Sequence, residues 1–164
     1  MNTIKDCLIL TLILIAATLA GCSAASTDTN STANTNTGQT SASNVAKTNV
    51  EELGMLINGP YESDEVFWKD DAAHKKIVAV LRFPPNEANR LIADAQKVKP
   101  AQPVSINSES WFPAELVAQS EMSGDDQLNG QAYAADAFFQ DQYNQGRVIR
   151  IEGTDYFVLQ LSAN

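Results

Sequence analysis

Apolar residues fall into three regimes along this chain. From Cys7 to Ala17 they run almost without a break, with only Thr11 intervening; from residue 23 to residue 50 only Val45 and Val50 are large and apolar. From residue 51 onward they return in periodic form, and there the elements of a folded domain can be read. Ile77-Val78-Ala79-Val80-Leu81, flanked by Lys76 and Arg82, is a continuous apolar run with β-branched members, which predicts a central strand buried on both faces. Pro84-Pro85 ends it, and Pro85 suits the first position of a helix, with Glu87 favoured in the first turn. Ala88, Leu91, Ile92 and Ala95 then recur at helical spacing, leaving Asn89, Arg90, Asp94 and Gln96 for solvent. Pro100 and Pro103 bound an expected loop. Residues 110–119 predict a short helix opened by Pro113, with Trp111 and Phe112 clamping its start.

Near the C-terminus, Arg147 to Glu152 and Tyr156 to Leu161 are two β-rich runs around Gly153-Thr154-Asp155, the pattern of a hairpin. A three-residue loop sets Glu152 opposite Tyr156. Ile149, Ile151, Phe157, Leu159 and Leu161 then share one face, while Val148, Arg150, Glu152, Tyr156, Val158 and Gln160 share the other. A two-residue loop would put Arg150 with Phe157 and leave both faces apolar, so the amphipathic three-residue register is preferred, with Asp155 tolerating a left-handed conformation. Met55-Leu56-Ile57 before Asn58-Gly59-Pro60, with Val66-Phe67-Trp68, suggests a strand pair. Gln131 to Phe139 mixes alanines that suit a helix with aromatics that suit a strand, and the pattern does not choose. The predicted class is α+β: a mainly antiparallel sheet with one or two packed helices and a C-terminal β-hairpin, after a flexible tether.

The first regime is an address. A polar start with Lys5, an apolar stretch, and Thr18-Leu19-Ala20-Gly21-Cys22 make a signal-peptide layout. Cys7 to Gly21 is 15 residues, short of the 18 to 20 or so that cross a bilayer core. Leu19-Ala20-Gly21-Cys22 resembles the lipobox of bacterial lipoprotein precursors at all four positions. The resemblance covers the targeting segment alone. It implies a signal peptide over 1–21, cleavage before Cys22, a diacylglyceryl thioether on Cys22, and a domain held on the extracytoplasmic side of the envelope. Ser23, in place of Asp, fits sorting to the outer membrane where a cell has two. Cys7 and Cys22 are the only cysteines, so on this reading the mature domain has neither thiol nor disulfide.

Residues 22–50 form the expected tether. Ser, Thr and Asn fill 17 of the 28 positions from 23 to 50, too polar to offset the entropy of ordering. Its r.m.s. reach as a coil is about 30 Å. Residues 51–164 are the expected single small globular domain.

Charge narrows the partners. The chain has 11 Lys and Arg against 20 Asp and Glu, a net charge of -9, which repels nucleic acid and anionic headgroups. With 44% hydrophobic and 19% charged residues, it is neither collagen-like, wholly disordered nor polytopic.

Little in the sequence points to catalysis. There is no Gly-x-Ser-x-Gly elbow, phosphate loop or His-Glu-x-x-His motif. The single His74 lies in the charged run Asp70-Asp71-Ala72-Ala73-His74-Lys75-Lys76, read as a solvated loop. Asp125-Asp126-Gln127-Leu128-Asn129-Gly130 with Asp136 has the outline of a calcium loop, with Asp125, Asn129 and Asp136 as weak candidate ligands. No cofactor is expected. The expected function is that of a lipid-anchored interaction module binding an envelope protein, with Arg150, Glu152, Tyr156, Trp111 and Phe112 as contact candidates. Two alternatives stay open: an envelope hydrolase using paired carboxylates, and a small-molecule or calcium-binding sensor.

Overall fold

The computed structural model describes residues 45–164. The expected signal peptide with its lipobox-like segment, Cys22 and most of the expected tether lie outside the described residues. Among the described residues the fold is α+β, with three α-helices and one six-stranded antiparallel sheet.

Helix α1 (Val50–Gly54) opens the domain, where a strand was expected nearby at Met55-Leu56-Ile57. The Asn49 side chain accepts from the Glu52 N–H at 2.8 Å, and Glu51 and Glu52 occupy the first turn, a favourable capped start. Leu53 and Ile57, four residues apart, turn into the core. The expected strand pair is therefore corrected: Val66-Phe67-Trp68 belongs to β1 (Glu65–Asp71), whose partner is β2 (Lys76–Arg82). The domain also begins earlier than its composition suggests. Lys47 and Trp68 exchange two backbone hydrogen bonds of 2.9 Å, and the Trp68 indole N–H donates to the Asn49 carbonyl at 3.1 Å.

The apolar run 77–81 is the interior of β2, and Ile77, Ala79, Val80 and Leu81 are all buried. After Pro84, helix α2 (Pro85–Val98) buries Ala88, Leu91 and Ala95 as its spacing predicts. It carries the chain from β2, second in the sheet, to β3 (Gln102–Asn107) at the far edge. The first two residues of β3, Gln102 and Pro103, fall within the loop expected between Pro100 and Pro103. An edge strand needs no outward donor, so proline is tolerated there. Helix α3 (Ala114–Ser123) follows Pro113 and ends at Gly124 in the left-handed region, φ 80°. The ambiguous segment resolves into both kinds of structure: β4 (Gln127–Ala134), then a 3-10 turn at Asp136–Phe138. Strands β5 (Gln145–Ile151) and β6 (Tyr156–Ser162) complete the order β1-β2-β6-β5-β4-β3.

The C-terminal hairpin exists, but its register is the one set aside above. Arg150 pairs with Phe157, Ile149 with Val158 and Val148 with Leu159, and Gly153 at φ 76°, not Asp155, takes the left-handed conformation. Both faces of the sheet are covered. Leu53, Ala88 and Leu91 of the α1 and α2 segments pack with Ile77, Val148, Phe157 and Leu159 on one side. Trp111, Phe112 and Leu116 pack with Val80, Ile149, Ile151 and Val158 on the other. With no solvated face, a hairpin apolar on both sides is what the packing requires. The buried core residues run from Leu53 to Leu161, inside the compact unit Ser41–Asn164, so that segment carries what it needs to fold alone.

Candidate functional site

The register decides which candidate residues meet. Gln131 of β4 lies opposite Arg150 of β5, which lies opposite Phe157 of β6, so these three share the face covered by α1 and α2. At the end of this row, beside the β5–β6 turn, lies a cleft of about 530 Å³. Its walls are Gln131 and Tyr133 from β4, Arg150 from β5, Glu152 and Asp155 from the turn, and Glu115 from α3. Gly130 lets the floor close up. A Cβ there would stand 2.3 Å from the Arg150 carbonyl oxygen and 2.9 Å from Ile149 Cγ2, so only glycine allows β4 to approach β5 this tightly.

Arg150 is exposed, and among the described residues its guanidinium forms no ion pair; the arginines that do are Arg82 with Glu65 and Arg90 with Glu87. Glu152 stands in the same cleft, its backbone tied down by Glu152 N–H to the Asn129 carbonyl at 2.9 Å and by Gln119 Nε2 donating to its carbonyl at 2.8 Å. Of the five contact candidates, the fold brings these two together. Gln131 and Tyr133 were missed, because their partnership with Arg150 depends on a strand pairing across nearly twenty residues whose register alternation alone does not reveal.

Tyr156 goes elsewhere. It is buried on the opposite face, in register with Arg82 and, through it, Glu65. Its hydroxyl donates to Glu65 Oε2 at 2.9 Å, and Glu65 Oε1 meets Arg82 Nη2 at 2.8 Å. Burial foremost, then the bond to Glu65, pushes the Tyr156 hydroxyl above its ordinary pKa, while Arg82 pulls the other way. Burial raises Tyr61 and Tyr143 as well. The fold thus favours neutral tyrosine, a stabilisation fully present below the unfolded value of about 10 and lost as pH rises through the folded values. Melting temperature should hold steady to that point and then fall, less steeply in Tyr156→Phe. Tyrosinate absorbance rising as in free tyrosine, with no fall in melting temperature, would contradict this.

Trp111 and Phe112 are core residues of the α3 side. Both are buried, with rings edge to face at 4.7 Å. The Trp111 indole donates to Glu109 Oε2 at 2.6 Å, and Lys69 Nζ lies 5.5 Å from its ring centre. They clamp the start of α3, as expected, and present no platform to a ligand.

The calcium outline does not close into a site. Asp125 Oδ1 accepts from Ser123 Oγ at 2.7 Å and from the Gln127 N–H at 3.2 Å within a turn. Asn129 lies inside β4, accepting from Ser105 Oγ at 2.5 Å, and Asp136 begins the 3-10 turn beyond it. Eight residues of extended strand span about 26 Å, so these oxygens cannot converge on one ion. Among the described residues no three His, Cys, Asp or Glu side chains gather to hold a metal. His74 is exposed on the β1–β2 turn, its Nδ1 2.5 Å from Asp71 Oδ2, and this contact holds the Asp71 carboxyl below the usual range.

Compared with family models, curated proteins and solved structures, the chain finds no match.

Proposed function

We propose that this chain is a bacterial lipoprotein, held on the extracytoplasmic side of the envelope through acylated Cys22, whose acidic domain binds an envelope protein at the cleft around Arg150. The observation that carries the binding site is the exposed guanidinium of Arg150, without an ion pair among the described residues, beside Tyr133 and Gln131 in a cleft of about 530 Å³. An exposed arginine in a concave patch is a residue type on which interfaces concentrate their energy. Glu115, Glu152 and Asp155 around it give the cleft both signs of charge. That mixture suits a polypeptide surface with complementary charges and repels a polyanion. A tether of some thirty residues, on this reading, lets the domain search for its partner while it remains anchored.

The test is a photoreactive residue placed at Gln131 in intact cells, with exposed Met122 as the control position. A single adduct from position 131, weakened about tenfold or more by Arg150→Ala as expected for a hot spot, is the expected result. The same adducts from both positions, or an adduct indifferent to Arg150→Ala, would refute the cleft.

The hydrolase reading draws on the three carboxylates of the same cleft. Glu115, Glu152 and Asp155 are all exposed, whereas a general acid working near neutral pH needs a drier setting. The geometry therefore favours binding over hydrolysis.

A further inference from the structure

Asparagine precedes glycine twice in the chain, at Asn58-Gly59 and Asn129-Gly130, and the fold treats the two pairs oppositely. In this dipeptide the glycine nitrogen is a nucleophile toward the asparagine side-chain amide, because no Cβ on the second residue obstructs the approach and glycine reaches the backbone angles it requires. The reaction balances with water alone. A bond forms from the glycine N to the asparagine Cγ, the Cγ–Nδ2 bond breaks, and ammonia leaves with the proton of the glycine N–H. Water then opens either C–N bond of the resulting succinimide, giving aspartate or isoaspartate.

The sheet holds Asn129 away from this path. Its carbonyl accepts from the Glu152 N–H at 2.9 Å and its Oδ1 from Ser105 Oγ at 2.5 Å. Gly130 is paired on both sides, with Val104 of β3 and Ile151 of β5. Both ladders must open before the Gly130 nitrogen can turn to its neighbour's side chain.

No ladder restrains Asn58 and Gly59. Both are exposed and lie between α1 and β1, and among the described residues the Gly59 N–H donates to no acceptor. What holds Asn58 is the 3-10 turn Asp136–Phe138: its N–H donates to the Phe138 carbonyl at 3.1 Å and its Nδ2 to the Ala137 carbonyl at 2.8 Å. The amide that the reaction removes is therefore half of this tie. Afterwards an anionic oxygen stands where a donor stood, facing the Ala137 carbonyl beside Asp136, and like charge repels it. Isoaspartate also lengthens the backbone at the residue whose N–H meets Phe138. We propose that Asn58 is a site of spontaneous deamidation, and that its conversion unties residue 58 from the 136–138 turn, independently of the Arg150 cleft.

The test ages the segment Ser41–Asn164 in neutral buffer, folded and in urea, and follows both positions by peptide mass spectrometry with enzymatic methylation of isoaspartate. In the folded protein position 58 should convert at least about tenfold faster than position 129, which waits on opening of the sheet. In urea the two rates should converge. A Cβ at Gly59 would meet nothing within 4 Å, so Gly59→Ala should slow position 58 by about tenfold or more with the melting temperature maintained. Asn58→Asp carries the charge from the start, and a glutamyl endopeptidase should cut it at exposed Glu62 about threefold or more faster than the parent, as a loosened segment requires. Equal conversion at 58 and 129 in the folded protein, a preference for 58 that persists in urea, a rate indifferent to Gly59→Ala, or Glu62 cleavage unchanged in Asn58→Asp would each overturn the assignment.

Discussion

Phe157→Ala is expected to lower the unfolding free energy by about 3 to 5 kcal/mol, a large share of the roughly 5 to 15 kcal/mol typical of a domain. Phe157 has 0% exposure. It sits between Leu81 of β2 and Arg150 of β5, and its ring meets Phe83 edge to face at 5.4 Å. Truncation removes that contact and leaves a void that β-strands, locked by backbone hydrogen bonds on both sides, cannot collapse to fill. The midpoint of urea unfolding should fall with its slope unchanged. A loss below about 1.5 kcal/mol, the range of a volume-conserving swap, would mean that the ring is not enclosed as described. A paired substitution checks the register itself: Val148→Cys with Leu159→Cys places two thiols directly opposite, within the Cα separation a disulfide accepts. The three-residue-loop register would instead oppose Ile149 to Leu159.

Cys22→Ser is the second large effect, and it rests on the proposed lipidation. Each buried methylene contributes about 0.8 kcal/mol, and two or more acyl chains hold a protein stably where one does not. Removing the acceptor thiol takes all of them away at once. The mass added at residue 22 should disappear, and the lipobox cleavage that depends on it should fail, leaving the longer precursor. A variant with the same mass and processing as the parent would remove the anchor from the proposed function. It would leave the Arg150 cleft standing, since that is read within residues 115–155.

What the residue pattern revealed and what it hid have physical causes. The β2 run, the α2 stripe behind Pro84-Pro85 and the existence of the last hairpin were legible because each is a local periodicity with its own stop signal. The hairpin register was not. Choosing the amphipathic partition assumed one wet face, whereas both faces are covered: Val148 packs on the α1–α2 side, and Tyr156 and Val158 on the α3 side. Helix α1 is short, and its cap residue Asn49 stands in a run of Ser, Thr and Asn that reads as tether. Strand β3 was masked by Pro103, which its edge position permits. The cleft shows the same division. Arg150 and Glu152 were legible as a polar pair on one strand end, yet their separation from Tyr156 and their meeting with Gln131 and Tyr133 follow from pairings that no local pattern encodes.

The strand order has one more consequence, for how the chain reaches this state. β2 finds β1 across a four-residue turn, but its other neighbour, β6, lies about eighty residues further on, Ala79 meeting Leu159. Within the sheet β6 alone joins the β1–β2 pair to the β5-β4-β3 group. A chain that emerges N-terminus first must therefore carry the apolar run 77–81 with one edge unsatisfied until its final strand appears. Closure over so long a separation is slow, and the waiting edge invites pairing with other chains. Without β6 the sheet is left as two fragments with no seam between them. Correct folding thus depends on Tyr156–Ser162, the strand on which both parts of the sheet close.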